Sequence, residues 1–283
     1  VAGLTELTSL DRPLVLDDLS AAGYHARPEL SSTGVRRLLA PSTPAKFRWL
    51  QDHPEPATEA MELGTAVHAL VLGVGAMPAE APPRWQSNAD KATVDEIRAA
   101  NRIPLRPDDF ARARAMAAAV RRHPIAAGLL AAGMPERTIV WTDPATGVGC
   151  RALIDWSPAN CRSLVDLKTC RSAAPSALPN HVGDHDYHVQ AAHYLEGARA
   201  AGVADDATRF VFVFVESEPP YGVTVADLHP ADLEHAHDLC RHAREIFRDC
   251  SAVDVWPGYP IDLITIRLPS WKRRSIESFA EEF

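Results

Sequence analysis

The chain has 283 residues, 46% of them hydrophobic and 23% charged, with a formal net charge of −8. That length can bury a substantial core and fits one enlarged domain spanning residues 1–283. The acidity argues against bulk electrostatic coating of nucleic acid, which needs presented Lys and Arg to neutralise phosphates, so any DNA contact must be local.

No stretch of about eighteen uncharged apolar residues occurs, and the N-terminus lacks a basic segment followed by an apolar core. A soluble, cytoplasmic protein with no membrane association is expected.

In chain order, Ser31 and Ser32 precede Val35, Leu38 and Leu39 at helical spacing, predicting a short helix with a serine N-cap that Pro41 and Pro44 stop. Thr58 to Leu72 predicts a longer, more apolar helix ended by Gly73, and Gly73 to Pro83 a loop. Ala92 to Leu130, rich in Ala and Arg and broken by Pro104, Pro107 and Pro124, predicts two or three helices.

From Thr138 the pattern turns to strands. Thr138 to Thr142 and Val148 to Trp156 flank the turn Asp143–Gly147 as a hairpin, and Ser163 to Lys168 follows the turn Pro158-Ala159-Asn160. Tyr187 to Ala200 predicts a helix, Arg209 to Val215 a buried strand, Pro219 to Gly222 a turn, Ala231 to Arg248 a helix and Leu263 to Leu268 a last strand. The expected core is an α/β sandwich with the early helices and the C-terminal segment added around it.

The chemistry concentrates on that core. Asp155 and Asp166 are eleven positions apart, and Lys168 follows Asp166 at i+2, so alternation along a strand directs Asp166 and Lys168 to one side, opposite Val165 and Leu167. Two carboxylates suit a hard divalent ion such as Mg²⁺, which takes oxygen ligands and keeps several waters. Lys168 could orient or deprotonate an attacking water and stabilise charge on a phosphate, or simply pair with Asp166.

His68 lies on the helix that carries Gly64 one turn earlier, where a glycine would admit a second backbone. Alone, a histidine on an apolar helix is usually a packed core residue, and only in company a ligand. Gln190 and Tyr194 form an i, i+4 pair that could pack, or hold a phosphate or the lysine. The remaining histidines, including His181 and His185, read as surface residues.

The five cysteines never approach CxxC spacing, which points to reduced, mostly buried thiols rather than disulfides, zinc or iron–sulfur sites. Basic groups cluster at Arg36-Arg37, at Lys46 and Arg48, from Arg98 to Arg122 and at Lys272-Arg273-Arg274. Solvated faces account for most such clusters.

Taken in order, Gly64 to His68, Asp155, Asp166 to Lys168 and Gln190 to Tyr194 resemble the PD-(D/E)xK nuclease superfamily, in particular its RecB-like branch. The sequence is further similar to the RecE-like exonucleases (the exodeoxyribonuclease VIII C-terminal domain) and their phage relatives. That likeness runs from about Tyr24 to Trp271 through Gly64–His68, Trp141–Pro144, Cys150-Arg151, Val165–Thr169, Tyr187–Ala192, Val215–Gly222, Trp256–Tyr259 and Leu268–Trp271.

The resemblance implies a restriction-endonuclease-like core, a mixed central sheet flanked by helices with extra N-terminal helices, and a catalytic core over about 57–72 and 136–216. It implies a Mg²⁺-dependent exonuclease that degrades the 5′-ended strand of linear double-stranded DNA and leaves a 3′ tail. His68, Asp155, Asp166 and the Leu167 carbonyl become metal ligands for two ions, with Mn²⁺ able to substitute. Lys168 becomes the catalytic lysine, Gln190 and Tyr194 supporting residues, and Glu136 a further family acid.

A homotetrameric ring and a single-strand annealing protein as partner are implied as well, in a stand-alone phage or prophage version without the cysteine cluster of iron–sulfur relatives. Readings in which the same core is an endonuclease, a single-strand-specific nuclease or a catalytically silent DNA-binding subunit stand beside this one, because the core does not fix substrate polarity.

Overall fold

A computed structural model describes residues 10–272. Arg273 and Arg274 of the last basic cluster lie outside the described residues. The elements are β1 (Leu14–Leu16), α1 (Ala21–His25), β2 (Leu30–Ser31), α2 (Ser32–Leu38), α3 (Pro44–Asp52), α4 (Glu59–Leu72), β3 (Pro78–Glu80), α5 (Asn88–Ala99), β4 (Ile103–Leu105) and α6 (Pro107–Arg122). They continue with α7 (Pro124–Leu129), β5 (Gly133–Thr142), β6 (Gly149–Pro158), β7 (Ser163–Cys170), α8 (Leu178–Asp184), α9 (Tyr187–Ala200), β8 (Arg209–Glu216), β9 (Val223–Asp227) and α10 (Pro230–Val253).

A mixed sheet runs β1-β5-β6-β7-β8-β9, with β2 added beside β6. β5, β6 and β7 form the expected antiparallel succession, while β7 and β8 are parallel and joined through α8 and α9. The acids therefore sit at mid-sheet. On one face, Ile139, Ile154, Leu164 and Phe212 pack with α2, α9 and α10; on the other, Val165, Leu167, Val213 and Val215 pack with α4 and α6.

Local chemistry explains the helices that frame the site. Thr58 caps α4 by accepting from Met61 N, and Gly73 closes it in the left-handed region at φ 77°. Helix α9 is buried along most of its length. It can lie close on the sheet because a Cβ at Gly197 would stand 2.5 Å from the Trp141 ring.

Several expectations need correction. Pro44 does not only end the α2 region: it occupies the first turn of α3, with Thr43 as N-cap, where its missing N–H costs nothing. The segment from Gly73 to Pro83 is not all loop, since β3 pairs in parallel with β4 to make a small second sheet. Strand β9 was not foreseen; the turn at Pro219–Gly222 returns the chain antiparallel to β8.

Leu263 to Leu268 is not a strand. No neighbour pairs with it among the described residues, and Leu263 and Ile266 are 101% and 81% exposed. A short apolar run becomes a strand only where a ladder satisfies its backbone.

A buried polar network joins α9 and α10 to the β5–β6 hairpin. Arg244 donates to Asp143 Oδ1 at 3.0 Å and to Glu196, and His237 Nδ1 lies 2.6 Å from the other Glu196 oxygen. Asp143 in turn accepts from Thr146 N and Oγ1 inside the turn, which Gly147 completes at φ 72°. His193 sits between Arg151 O, 3.0 Å from Nε2, and Arg244 Nη2, 3.4 Å from Nδ1. Burial, reinforced by Arg244, pushes its imidazole down to about 3, so it is neutral with its proton on Nε2.

Four of the five cysteines are buried and all are free. Burial raises Cys150 to about 12 and Cys170 to about 11, which makes them inert packing residues.

Candidate active site

The site forms where β6 and β7 part. Their ladder registers only Trp156 with Val165; beyond that pair the Leu167 N–H is accepted by Asp155 Oδ2 at 2.8 Å. A side chain thus takes the place of a strand–strand hydrogen bond. Within a strand the N–H and C=O of one residue point to the same neighbour, so the Leu167 carbonyl is directed into the same gap.

Asp166 is 1% exposed and held through both oxygens. Gln190 Nε2 donates to Oδ1 at 2.7 Å, and Lys168 Nζ lies 2.6 Å from Oδ2. The ammonium approaches Oδ2 off the ideal hydrogen-bonding direction, so among the described residues this buried oxygen has charge compensation but no well-directed donor. Asp166 and Lys168 therefore share one side of β7, as alternation predicts, and the simple pairing of the two is part of the arrangement.

Helix α4 brings His68 to the other acid, with Nδ1 3.4 Å from Asp155 Oδ2. Gly64 has a different setting from the one expected. Among the described residues no second backbone comes within 4 Å of a Cβ placed there, which would meet only Thr169 Oγ1, at an ordinary 3.5 Å.

Burial drives the Asp155 carboxyl up to about 6, and the nearby Asp166 adds to the rise, against the opposing effects of His68, Lys168 and the Leu167 N–H. Burial alone would lower Lys168, but Asp166 and Asp155 outweigh it and hold the ammonium above its ordinary value. In this arrangement the lysine is a cation. It can orient water or stabilise developing negative charge, but it is not ready to accept a proton.

Tyr194 stands one turn beyond Gln190, buried edge-on against Phe210. Its hydroxyl neighbours Ser32 rather than the lysine, and burial raises it well above the usual tyrosine value. Glu136 has φ 45° and drops out of the β5–β6 ladder between the registered pairs Pro135–Trp156 and Arg137–Ile154. It is thereby opposite Asp155, with its carboxylate beside Gly75.

Sequence reading missed the aromatic wall around Lys168. The ammonium lies 4.6 Å from the Tyr187 ring centre, and that ring meets His185 in a stack and His181 edge-on. His185 is exposed, as expected, but His181 is half-buried: its ring also packs on Phe214, and its Nε2 is shielded without a partner among the described residues. The signal for Tyr187 was its place one turn before Gln190 on the same helix.

The residues present fit a divalent cation. A buried carboxylate, Asp166, which carries an oxygen without a hydrogen-bond donor among the described residues, and a half-buried one, Asp155, lie with an imidazole and a carbonyl in one gap, a donor set suited to Mg²⁺ or Mn²⁺. Among the described residues no three His, Cys, Asp or Glu side chains close on a single point, because Asp166 is turned towards Lys168 and Gln190. A bound ion would supply polarisation of a phosphate oxygen and activation of a water.

A family model described as a PDDEXK-like domain of unknown function (DUF3799) matches residues 41–265. No curated protein matches the chain. Among solved structures, the crystal structure of a "Putative exonuclease" from Eubacterium rectale aligns with a TM-score of 0.61, covering 91% of this chain and 98% of that one. Identity is 12%, so the likeness is one of fold.

Proposed function

This chain belongs to the family of PDDEXK-like domains of unknown function (DUF3799), and from that membership and the site's geometry we propose that it is a divalent-cation-dependent exonuclease acting 5′ to 3′ on linear double-stranded DNA. The reading is carried by one observation: Asp155, Asp166 and Lys168 meet in the gap where β6 and β7 separate. The products are 3′ single-stranded tails suited to recombination by strand annealing, with an annealing protein as partner.

In this reading His68, Asp155, Asp166 and the Leu167 carbonyl hold two Mg²⁺ ions, for which Mn²⁺ substitutes. Lys168 stabilises charge on the scissile phosphate. Gln190 fixes the rotamer of Asp166, and Tyr194 packs behind it. The enzyme works in the cytoplasm as a homotetrameric ring, which reconciles DNA retention with a net charge of −8: basic groups need only line the channel.

The test uses linear duplex labelled at one 5′ or one 3′ end, incubated with Mg²⁺, alongside closed circular duplex. Release of the 5′ label with the circle intact supports the reading. Cleavage of the closed circle would replace it with an endonuclease.

A further inference from the structure

Arg151 is on β6, four residues before Asp155, and the alternation of a strand puts the two on one face about 13 Å apart. Between them the edge of β6 is open. β2 registers with it at Cys150 and Arg151, and β7 only from Trp156. The guanidinium and the acid thus border opposite ends of one gap in the sheet.

The Arg151 guanidinium rests over the Tyr24 ring at 4.9 Å, and its Nε and Nη1 are shielded from solvent with no hydrogen-bond partner among the described residues. A guanidinium keeps its charge and presents its donors as a planar fork. Buried arginines usually gain carboxylates, as Arg244 does from Asp143 and Glu196. Arg151, which is half-buried, gains none among the described residues, and the nearby Glu29 is engaged through both oxygens by Arg27. Shielded donors without acceptors are costly, so an acceptor supplied by a ligand is the economical explanation.

Three buried hydroxyl side chains stand beside this stretch: Tyr24, Ser32 and Tyr194. The Tyr194 hydroxyl has Ser32 as neighbour and is within electrostatic reach of Tyr24, Asp166 and Asp155. We propose that Arg151, supported by these hydroxyls, binds a phosphate group of the substrate strand and so sets that strand's position relative to the acid pair. The inference rests on the nuclease reading above and adds to it the residue that anchors the strand.

The test measures binding of linear duplex without divalent cation over a salt series, and digestion kinetics with Mg²⁺, for the wild type, Arg151→Gln and Arg151→Lys. Each is run on 5′-phosphorylated and 5′-hydroxyl ends. Arg151→Gln should weaken binding roughly tenfold, as loss of a charge-assisted contact implies. It should also make the slope of log K against log salt shallower by about 0.7 to 0.9. Arg151→Lys should keep the slope but raise KM more than it changes kcat, because the bidentate fork is gone.

Equal losses on both ends identify an internal backbone phosphate, and a loss confined to phosphorylated ends identifies the terminal one. An unchanged salt slope in a folded Arg151→Gln, or a wild-type KM in Arg151→Lys, would overturn the proposal while leaving the nuclease reading intact. A wild type that neither binds nor digests DNA would overturn both.

Discussion

Gln190 donates through Nε2 to Asp166 Oδ1 at 2.7 Å, joining the buried helix α9 to an acid on the central strand β7. That bond leaves Asp166 Oδ2 as the oxygen directed towards Lys168. The amide thereby selects the rotamer in which acid and lysine address the same space. Replacing Gln190 with Ala should lower the digestion rate of linear duplex by about 10–100-fold, as loss of an outer hydrogen bond to a ligand does. KM for DNA should change little; an unaltered rate would remove Gln190 from the site.

Lys168→Ala separates metal binding from turnover. The ammonium neutralises Asp166 at 2.6 Å, so an incoming cation must compete with it. Without it, turnover should be lost while calorimetry with Mn²⁺ gives affinity equal to or higher than that of the wild type. Asp166→Ala should abolish both, and retained Mn²⁺ binding of full strength in that variant would refute the ligand role of the acid.

Gly64 tests whether a glycine matters on α4. Among the described residues a Cβ there meets only Thr169 Oγ1 at 3.5 Å, and the position is within a regular helix. Gly64→Ala should fold normally and gain up to about 1 kcal/mol of stability from helix propensity. Denaturant unfolding checks this, and a clear loss would mean that α4 approaches β7 more closely than the structure has it.

His193 gives stability a pH dependence of definite sign. Its folded value is about 3 against an ordinary 6.5, so below 6.5 the unfolded chain binds the proton that the native state refuses, and stability falls as pH falls. Between pH 7.5 and 5 this one residue should cost about 2 kcal/mol. Although burial raises the Glu196 carboxyl, His237 and Arg244 hold it below its ordinary 4.5, so its own loss comes at lower pH. Unfolding curves at the two pH values should show His193→Asn losing less than the wild type, and equal losses would contradict the buried neutral imidazole.

The ring assembly predicts a tetramer mass by light scattering. A monomer of 30.8 kDa at every concentration would exclude it.

Much of this protein is legible in its sequence because the signals are local. Period-two alternation around Asp166 put Val165 and Leu167 against α4 and α6 and turned the acid and lysine the other way, and the helix over Tyr187–Ala200 follows directly from composition. Leu263 to Leu268 has the same alternating, β-branched character and yet pairs with nothing among the described residues. Strand formation depends on a partner, and no local pattern reports whether one is present.

The sequence by itself determined the residue types, their order and the side of each strand they occupy, since these follow from backbone geometry within one element. Only tertiary structure decided that β6 and β7 part after Trp156 and Val165, that Asp155 replaces a ladder bond to Leu167, and that α4 and α9 reach the acids from opposite faces of the sheet. It also decided that, among the described residues, Arg151 has no carboxylate while Arg244 has two. Those relations join residues far apart in the chain, and their energies come from burial and charge pairing in the folded state.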